Sequence, residues 1–243
     1  MTMVFSKDIS TQQCNASTTK LMTALVAFDL ISNMNDQVTV SAADLVGSNE
    51  SRVNFQALDV VSYLDLLYGL MLPSGNDASN CLARNLGGAS AFIGAMNTKA
   101  ANIGMTNTNF ADTSGVSYLT TSTALDLSKL MTEYAKNQLL VTIAGAMTHI
   151  IKVSGVNARD ITIEHTVKPY ISRFPELICS KTGTVSFGTG YEQYDSGGCI
   201  IALWKLPSNE SRVSVVLGSG IGANDRYDDL RKMIDFEIAR SKL

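Results

Sequence analysis

The sequence predicts an α+β protein in which an antiparallel sheet, flanked by an N-terminal and a C-terminal helix, carries an inserted helical lobe. Three observations predict it. Near the start, apolar residues at 21, 24, 25, 28 and 31 repeat at helical spacing. Across the middle of the chain, helix-period segments alternate with breaks rich in Gly, Pro and Asn. From Leu177 onward the period shortens to that of strands, and one more amphipathic helix closes the chain.

Taken in order, residues 2–7 read as a short strand and 11–15 as a polar connection. Asn15 is the expected N-cap of the first helix, which puts Ser17 and Lys20 in its first turn. Residues 32–36 end that helix, 38–40 are extended, and Ser41-Ala42-Ala43-Asp44 starts a capped turn. Residues 59–71 read as one helix, with Val60, Val61, Leu64, Leu67, Tyr68 and Met71 buried; Pro73 and Ser74-Gly75-Asn76 stop it. Helices follow at 77–86, ended by Gly87-Gly88, and at 90–103, ended by Gly104. Residues 105–121 form a polar loop, and 122–136 and 138–147 are helical. Residues 150–176 show no single period. Strands are expected at 177–186, 198–205 and 212–217, the last two joined by a turn at Pro207-Ser208-Asn209-Glu210. Residues 225–239 make the final helix. The sheet is expected to draw on both chain ends, giving a single catalytic domain over 1–243. Its sheet-containing lobe is 1–35 plus 176–243 and its helical lobe 36–175, with a cleft between them.

Bulk properties exclude several classes. Hydrophobic content of 45% with 17% charged residues describes an ordered globular chain. A net charge of -3, with scattered Lys and Arg, argues against nucleic-acid binding. No apolar stretch is long enough to span a bilayer, and the start lacks the pattern of a signal peptide. Four cysteines without C-x-x-C spacing and two histidines make a zinc site unfavourable, and the default for the thiols is burial. Cys14 and Cys179 lie close in sequence to motif residues and are expected to be candidates for exposure at the cleft.

The chemistry is concentrated in three short stretches. Ser17 and Lys20, three apart on a helix, share a face, so a hydroxyl and an amine lie within reach. At a helix N-terminus, unpaired N–H groups and the helix dipole favour a developing oxyanion and disfavour an ammonium. A free amine there can take the serine proton. Ser74-Gly75-Asn76 follows in a loop of the helical block, and Lys181-Thr182-Gly183 on the first returning strand. Each stretch alone is a weak signal. In this order they match the S-x-x-K, S-x-N, K-T-G set of penicillin-binding proteins and serine β-lactamases.

The chain resembles the low-molecular-mass D-alanyl-D-alanine carboxypeptidases, the S11 peptidase family. The resemblance rests on Asn15-Ala16-Ser17-Thr18-Thr19-Lys20-Leu21-Met22-Thr23-Ala24, Pro73-Ser74-Gly75-Asn76-Asp77-Ala78, Gly104-Met105-Thr106-Asn107-Thr108-Asn109-Phe110 and Ser180-Lys181-Thr182-Gly183. It runs from near residue 1 to the last helix. It implies a penicillin-binding-protein or serine-β-lactamase-like fold with Ser17 as nucleophile and Lys20 as base. Ser74 would relay a proton to the leaving amine, and Asn76 would orient Lys20 and the substrate. Lys181 would depress the Lys20 pKa by its charge, Thr182 would bind the substrate carboxylate, and Gly183 would admit the substrate backbone. The N–H groups of Ser17 and Thr184 would form the oxyanion hole, and Arg226 would be a cationic clamp for the carboxylate.

The resemblance further implies a peptidoglycan stem peptide as substrate, β-lactams as covalent inhibitors, no cofactor, and a place in the bacterial cell envelope or outside the cell. Export would make the present chain a trimmed mature form. Two departures stand out. Ser114 replaces a histidine common before the glycine matching Gly115, and no further domain follows residue 243. His149 and His165 read as structural or surface residues. The alternatives are a serine β-lactamase and a non-catalytic penicillin sensor. A class A lactamase needs a glutamate in the helical lobe, and residues 77–132 contain none.

Overall fold

The computed structural model describes residues 3–242. After an irregular start, β1 (Gln13–Cys14) leads into a tight turn of 3-10 helix over Ala16–Thr19, which runs straight into α1 (Lys20–Leu30). The helical lobe follows as β2 (Gln37–Thr39), β3 (Val60–Ser62), α2 (Tyr63–Met71), α3 (Asn76–Asn85), α4 (Ala89–Asn102), β4 (Thr121–Ser122), α5 (Ala124–Tyr134) and α6 (Gln138–Gly145). A hairpin of β5 (Thr148–Val153) and β6 (Arg159–Glu164) precedes β7 (Leu177–Gly183), β8 (Gly198–Lys205), β9 (Ser211–Ser219) and α7 (Asp225–Arg240).

The main sheet is antiparallel in the order β7-β8-β9. Alternation along β8 divides its two faces. Ile200, Ala202 and Trp204 pack with Tyr227, Leu230 and Ile234 of α7, whereas Ile201 and Leu203 join the large core of the helical lobe. Residues 20–27 of α1 are all buried, which is the pattern of a helix enclosed on every side. Side-chain caps at Ser62, Thr123 and Asn137 start α2, α5 and α6 by accepting from first-turn N–H groups.

The α+β class holds, with differences of detail. Residues 3–7 form no strand (residue 2 lies outside the described residues), and the main sheet takes all three of its strands from the C-terminal part of the chain. Residues 59–71 divide. Val60 and Val61 pair with Thr39 and Val38, and helix begins only at Tyr63. β-branched residues fit a pleated edge better than a helix, and a short apolar run carries no period that separates the two. The unplaced stretch from 150 holds the β5–β6 hairpin, paired from Thr148↔Glu164 to Val153↔Arg159. Its alternation is hidden because Ile150 faces solvent.

Candidate active site

The nucleophile turn is held by two close approaches that only glycine permits. Ala16 has φ +46, a left-handed conformation that turns the chain sharply into Ser17. Gly115, at φ +82, lies over it, and a Cβ there would sit 1.9 Å from the Ala16 carbonyl oxygen. A Cβ on Gly183 would sit 2.9 Å from the Ser17 nitrogen and 3.0 Å from the Ala16 Cβ. The expectation was that Gly183 makes room for substrate. The nearest atoms are the protein's own, so its first effect is to let β7 press against the Ser17 turn. Asn15 precedes the turn without capping it by its side-chain oxygen. Its Nδ2 donates to Thr18 Oγ1 and Thr19 Oγ1, and its carbonyl accepts from the Thr18 N–H.

Lys20 is fully buried. Its Nζ lies 3.0 Å from Ser17 Oγ, 2.7 Å from Asn76 Oδ1 and 3.0 Å from the Ser114 carbonyl oxygen. Burial lowers its pKa to about 7, against the opposing pull of Asp112, Asp77 and Glu50. A neutral amine has two N–H donors and one lone pair. The Asn76 and Ser114 oxygens can only accept, so they take both N–H groups. The lone pair then faces the Ser17 hydroxyl, which is the geometry of a general base. Asn76 is held in that orientation by its other end, where Nδ2 donates to Glu50 Oε2 at 2.8 Å.

Lys181 is equally buried. Its Nζ donates to Ser74 Oγ at 2.9 Å and to the Thr182 carbonyl at 2.8 Å. Burial, then the charges of Lys20 and Arg226, push its pKa well below the usual lysine value. Lys181 was expected to depress Lys20. Loss of water is the first lowering cause for both lysines, and their mutual repulsion disfavours charging both at once. Ser74 itself is left-handed at φ +64, which aims its hydroxyl across the cleft from the end of α2.

Thr182 Oγ1 lies 2.7 Å from Thr166 Oγ1. Arg226, in the first turn of α7, donates from Nη1 to the Gly183 carbonyl at 2.7 Å and from Nη2 to Thr184 Oγ1. Its guanidinium is thus tied to the end of β7. The open cleft between these walls has a volume of about 310 Å³ and is lined by Ser17, Ser74, Thr182, Thr184 and Arg226, together with Tyr170 and Tyr227. Every residue singled out from the three motifs reaches this region.

Sequence reasoning missed four contributors. Glu50 and the Ser114 carbonyl have no motif signature. Asp112 was overlooked in its turn-rich loop, although it accepts from the N–H groups of Gly115, Val116 and Ser117 and from the hydroxyls of Ser114 and Thr120. That network braces the loop where Ser114 stands in place of histidine. Thr166 lay in the stretch with no assigned element.

His165 is buried with Nδ1 accepting from the Val167 N–H, so Nε2 carries the proton toward the Ser180 carbonyl. Burial, then Lys181, lowers its pKa to about 4. His149 bonds Asp65 and stacks on Tyr68. All four cysteines are free and buried, so neither Cys14 nor Cys179 is exposed at the cleft.

Comparison with known proteins places this geometry. The family described as D-alanyl-D-alanine carboxypeptidase, Peptidase_S11, matches residues 2–192. The D-alanyl-D-alanine carboxypeptidase of Streptomyces sp. (strain K15) is 29% identical over 247 residues, covering 90% of this chain and 82% of that protein. The D-alanyl-D-alanine carboxypeptidase DacF of Bacillus subtilis (strain 168) is 26% identical over 98% of this chain, which spans 59% of the relative. Among solved structures, the Streptomyces K15 DD-transpeptidase superposes with a TM-score of 0.82 at 29% identity, covering 94% of this chain and 89% of that one. A D-alanyl-D-alanine carboxypeptidase from Mycobacterium tuberculosis H37Rv gives a TM-score of 0.82 at 25% identity, covering 96% and 84%.

Proposed function

The chain belongs to the Peptidase_S11 family of D-alanyl-D-alanine carboxypeptidases, and from that premise we propose how its own residues carry the reaction. It is a serine-type D-Ala-D-Ala peptidase. Ser17 Oγ attacks the penultimate D-Ala carbonyl of a peptidoglycan stem peptide while Lys20 takes its proton. The N–H groups of Ser17 and Thr184 receive the oxyanion. The Ser74 hydroxyl, held by Lys181, relays the proton that Lys20 took from Ser17 to the leaving D-Ala amine and so ends unchanged. Water then hydrolyses the acyl-enzyme and frees Ser17. Thr182 donates to the terminal carboxylate, with Arg226 supplying positive charge from the first turn of α7. A β-lactam acylates the same Ser17 oxygen. Such a substrate puts the protein in the cell envelope or outside the cell. Among the described residues no helix is long and apolar enough to cross a membrane.

One observation carries this reading. The Lys20 amine is held between two obligate acceptors with its remaining valence toward Ser17 Oγ. A lactamase reading is disfavoured at Gly75, where the lactamase motif has aspartate. A Cβ there would lie 2.8 Å from the Gly69 carbonyl, the Val53 side chain and Asp77 Oδ1, leaving no room for a side chain. The test is release of D-Ala from a peptide ending in D-Ala-D-Ala. The reading expects release by the native protein and none by Ser17→Ala. Intact peptide with a persistent penicilloyl adduct would indicate a sensor, and rapid penicillin turnover a lactamase.

A further inference from the structure

Beside the cleft, four aromatic side chains from two loops form a rim that the proposed reaction does not use. Tyr118 is its centre, with ring centroids 6.0 Å from Phe187, 5.9 Å from Tyr191 and 5.0 Å from Tyr194. The three tyrosines remain 39%, 50% and 39% exposed. Large aromatic groups left in contact with water on two different loops are an uncommon surface for a monomer.

Both loops originate at the nucleophile. Ser114 and Gly115, which hold Lys20 and cover Ala16, run on to Tyr118, and Gly183 and Thr184, which touch the Ser17 turn and Arg226, run on to Phe187. Both are fixed in place. Asp112 braces the first, and Asp195 accepts from the Phe187 N–H and the Ser186 hydroxyl in the second. A surface fixed before binding loses little entropy on taking a ligand.

None of the four rings lines the cleft that holds Thr182, Thr184 and Arg226. The segments that border the Ser17 turn, Ser114-Gly115 and Gly183-Thr184, lead from the cleft to the rim. The rim's charge restricts what it can hold. Residues 100–128 and 182–204 contain no Lys, Arg or His, while Asp112, Glu192 and Asp195 lie among the rim residues. Neither rim segment supplies a basic side chain of its own to meet phosphate or anionic peptide groups. A neutral, hydroxylated ligand with apolar faces suits phenol rings, which offer a flat apolar face and a polar tip.

We propose that the Tyr118, Phe187, Tyr191 and Tyr194 rim is a saccharide-stacking platform that holds the sugar end of a glycan-linked stem peptide. The assignment rests on the peptidase reading above, and its test separates the two. Initial rates are measured for a peptide ending in D-Ala-D-Ala, alone and linked to its N-acetylated disaccharide, with the native protein and with Tyr191→Ala/Tyr194→Ala. In parallel, the native protein is titrated with an N-acetylglucosamine oligosaccharide while its tyrosine ring resonances are followed by NMR.

The platform predicts a KM for the disaccharide substrate about tenfold below that of the free peptide, the scale of one or two ring contacts. The double variant loses that advantage while its kinetics on free peptide stay unchanged, and the oligosaccharide shifts tyrosine resonances. Equal KM values for the two substrates in the native protein, with no resonance shifts, overturn the platform. So does the same gain from a peptide lengthened by amino acids alone, which would put peptide on the rim. A native protein inactive on both substrates refutes the peptidase reading, and the titration then decides the platform by itself.

Discussion

The two walls of the cleft each present one lysine with no exposed surface, and they treat it differently. On the helical wall, Lys20 is surrounded by oxygens that can only accept, and the carboxylates of Asp112, Asp77 and Glu50 raise its pKa against the effect of burial. On the strand wall, the charges acting on Lys181 are those of Lys20 and Arg226, and both lower its pKa. Burial sets the direction for both, and the nearby charges set how far each goes. The helical wall therefore holds a base poised near neutral pH. The strand wall holds an amine whose hydrogen bonds go to the Ser74 hydroxyl and to the Thr182 carbonyl of its own strand.

The largest expected effect breaks the helical wall. Lys20→Met removes the amine while keeping most of the volume, and D-Ala release should fall about 10³-fold or more in kcat, within the range of lost acid–base catalysis. Steady-state assay of the free amino acid measures it. If Lys181→Met costs as much and in the same parameter, the two walls do not differ in role. The comparison predicts instead a smaller loss of about 10²-fold in kcat, because what is lost is the bond that holds the Ser74 hydroxyl for proton transfer to the leaving amine.

The order of these effects reflects what was legible in the sequence. Ser17 with Lys20, Ser74 with Asn76, and Lys181 with Thr182 each stand within three residues of one another, so their chemistry could be read from contiguous text. The groups that tune them could not. The Ser114 carbonyl is a backbone atom with no residue-type signal, and Glu50 reaches Asn76 across 26 residues. The same limit applied to the fold. Strands 198–205 and 211–219 announced themselves because one face meets α7 and the other the helical core. The β5–β6 hairpin has one exposed and one covered face, and it stayed hidden because polar His149 and Arg159 stand on the covered face and apolar Ile150 on the exposed one. Where residue type follows burial the pattern is written in the chain, and where it departs from burial only the tertiary contact shows it.

The smallest effect sharpens the comparison most. Glu50→Gln keeps an acceptor for Asn76 but removes a charge that raises the Lys20 pKa. The acid limb of kcat/KM should move to lower pH with the plateau rate changed less than about tenfold, since an exposed charge is screened. Glu50→Ala, which also frees the Asn76 amide, should lower the plateau further. An acid limb that moves upward in Glu50→Gln would mean that the carboxylate does not support the protonated amine.

The central claim is that Lys20 is a neutral amine when Ser17 reacts, and the pH dependence of Ser17 acylation by a penicillin tests it most directly. The second-order rate should rise through a single ionisation near pH 7, where burial places the Lys20 amine, and level off above it. A rate that keeps climbing tenfold per pH unit toward pH 10 would show an ordinary ammonium at position 20 and contradict the account.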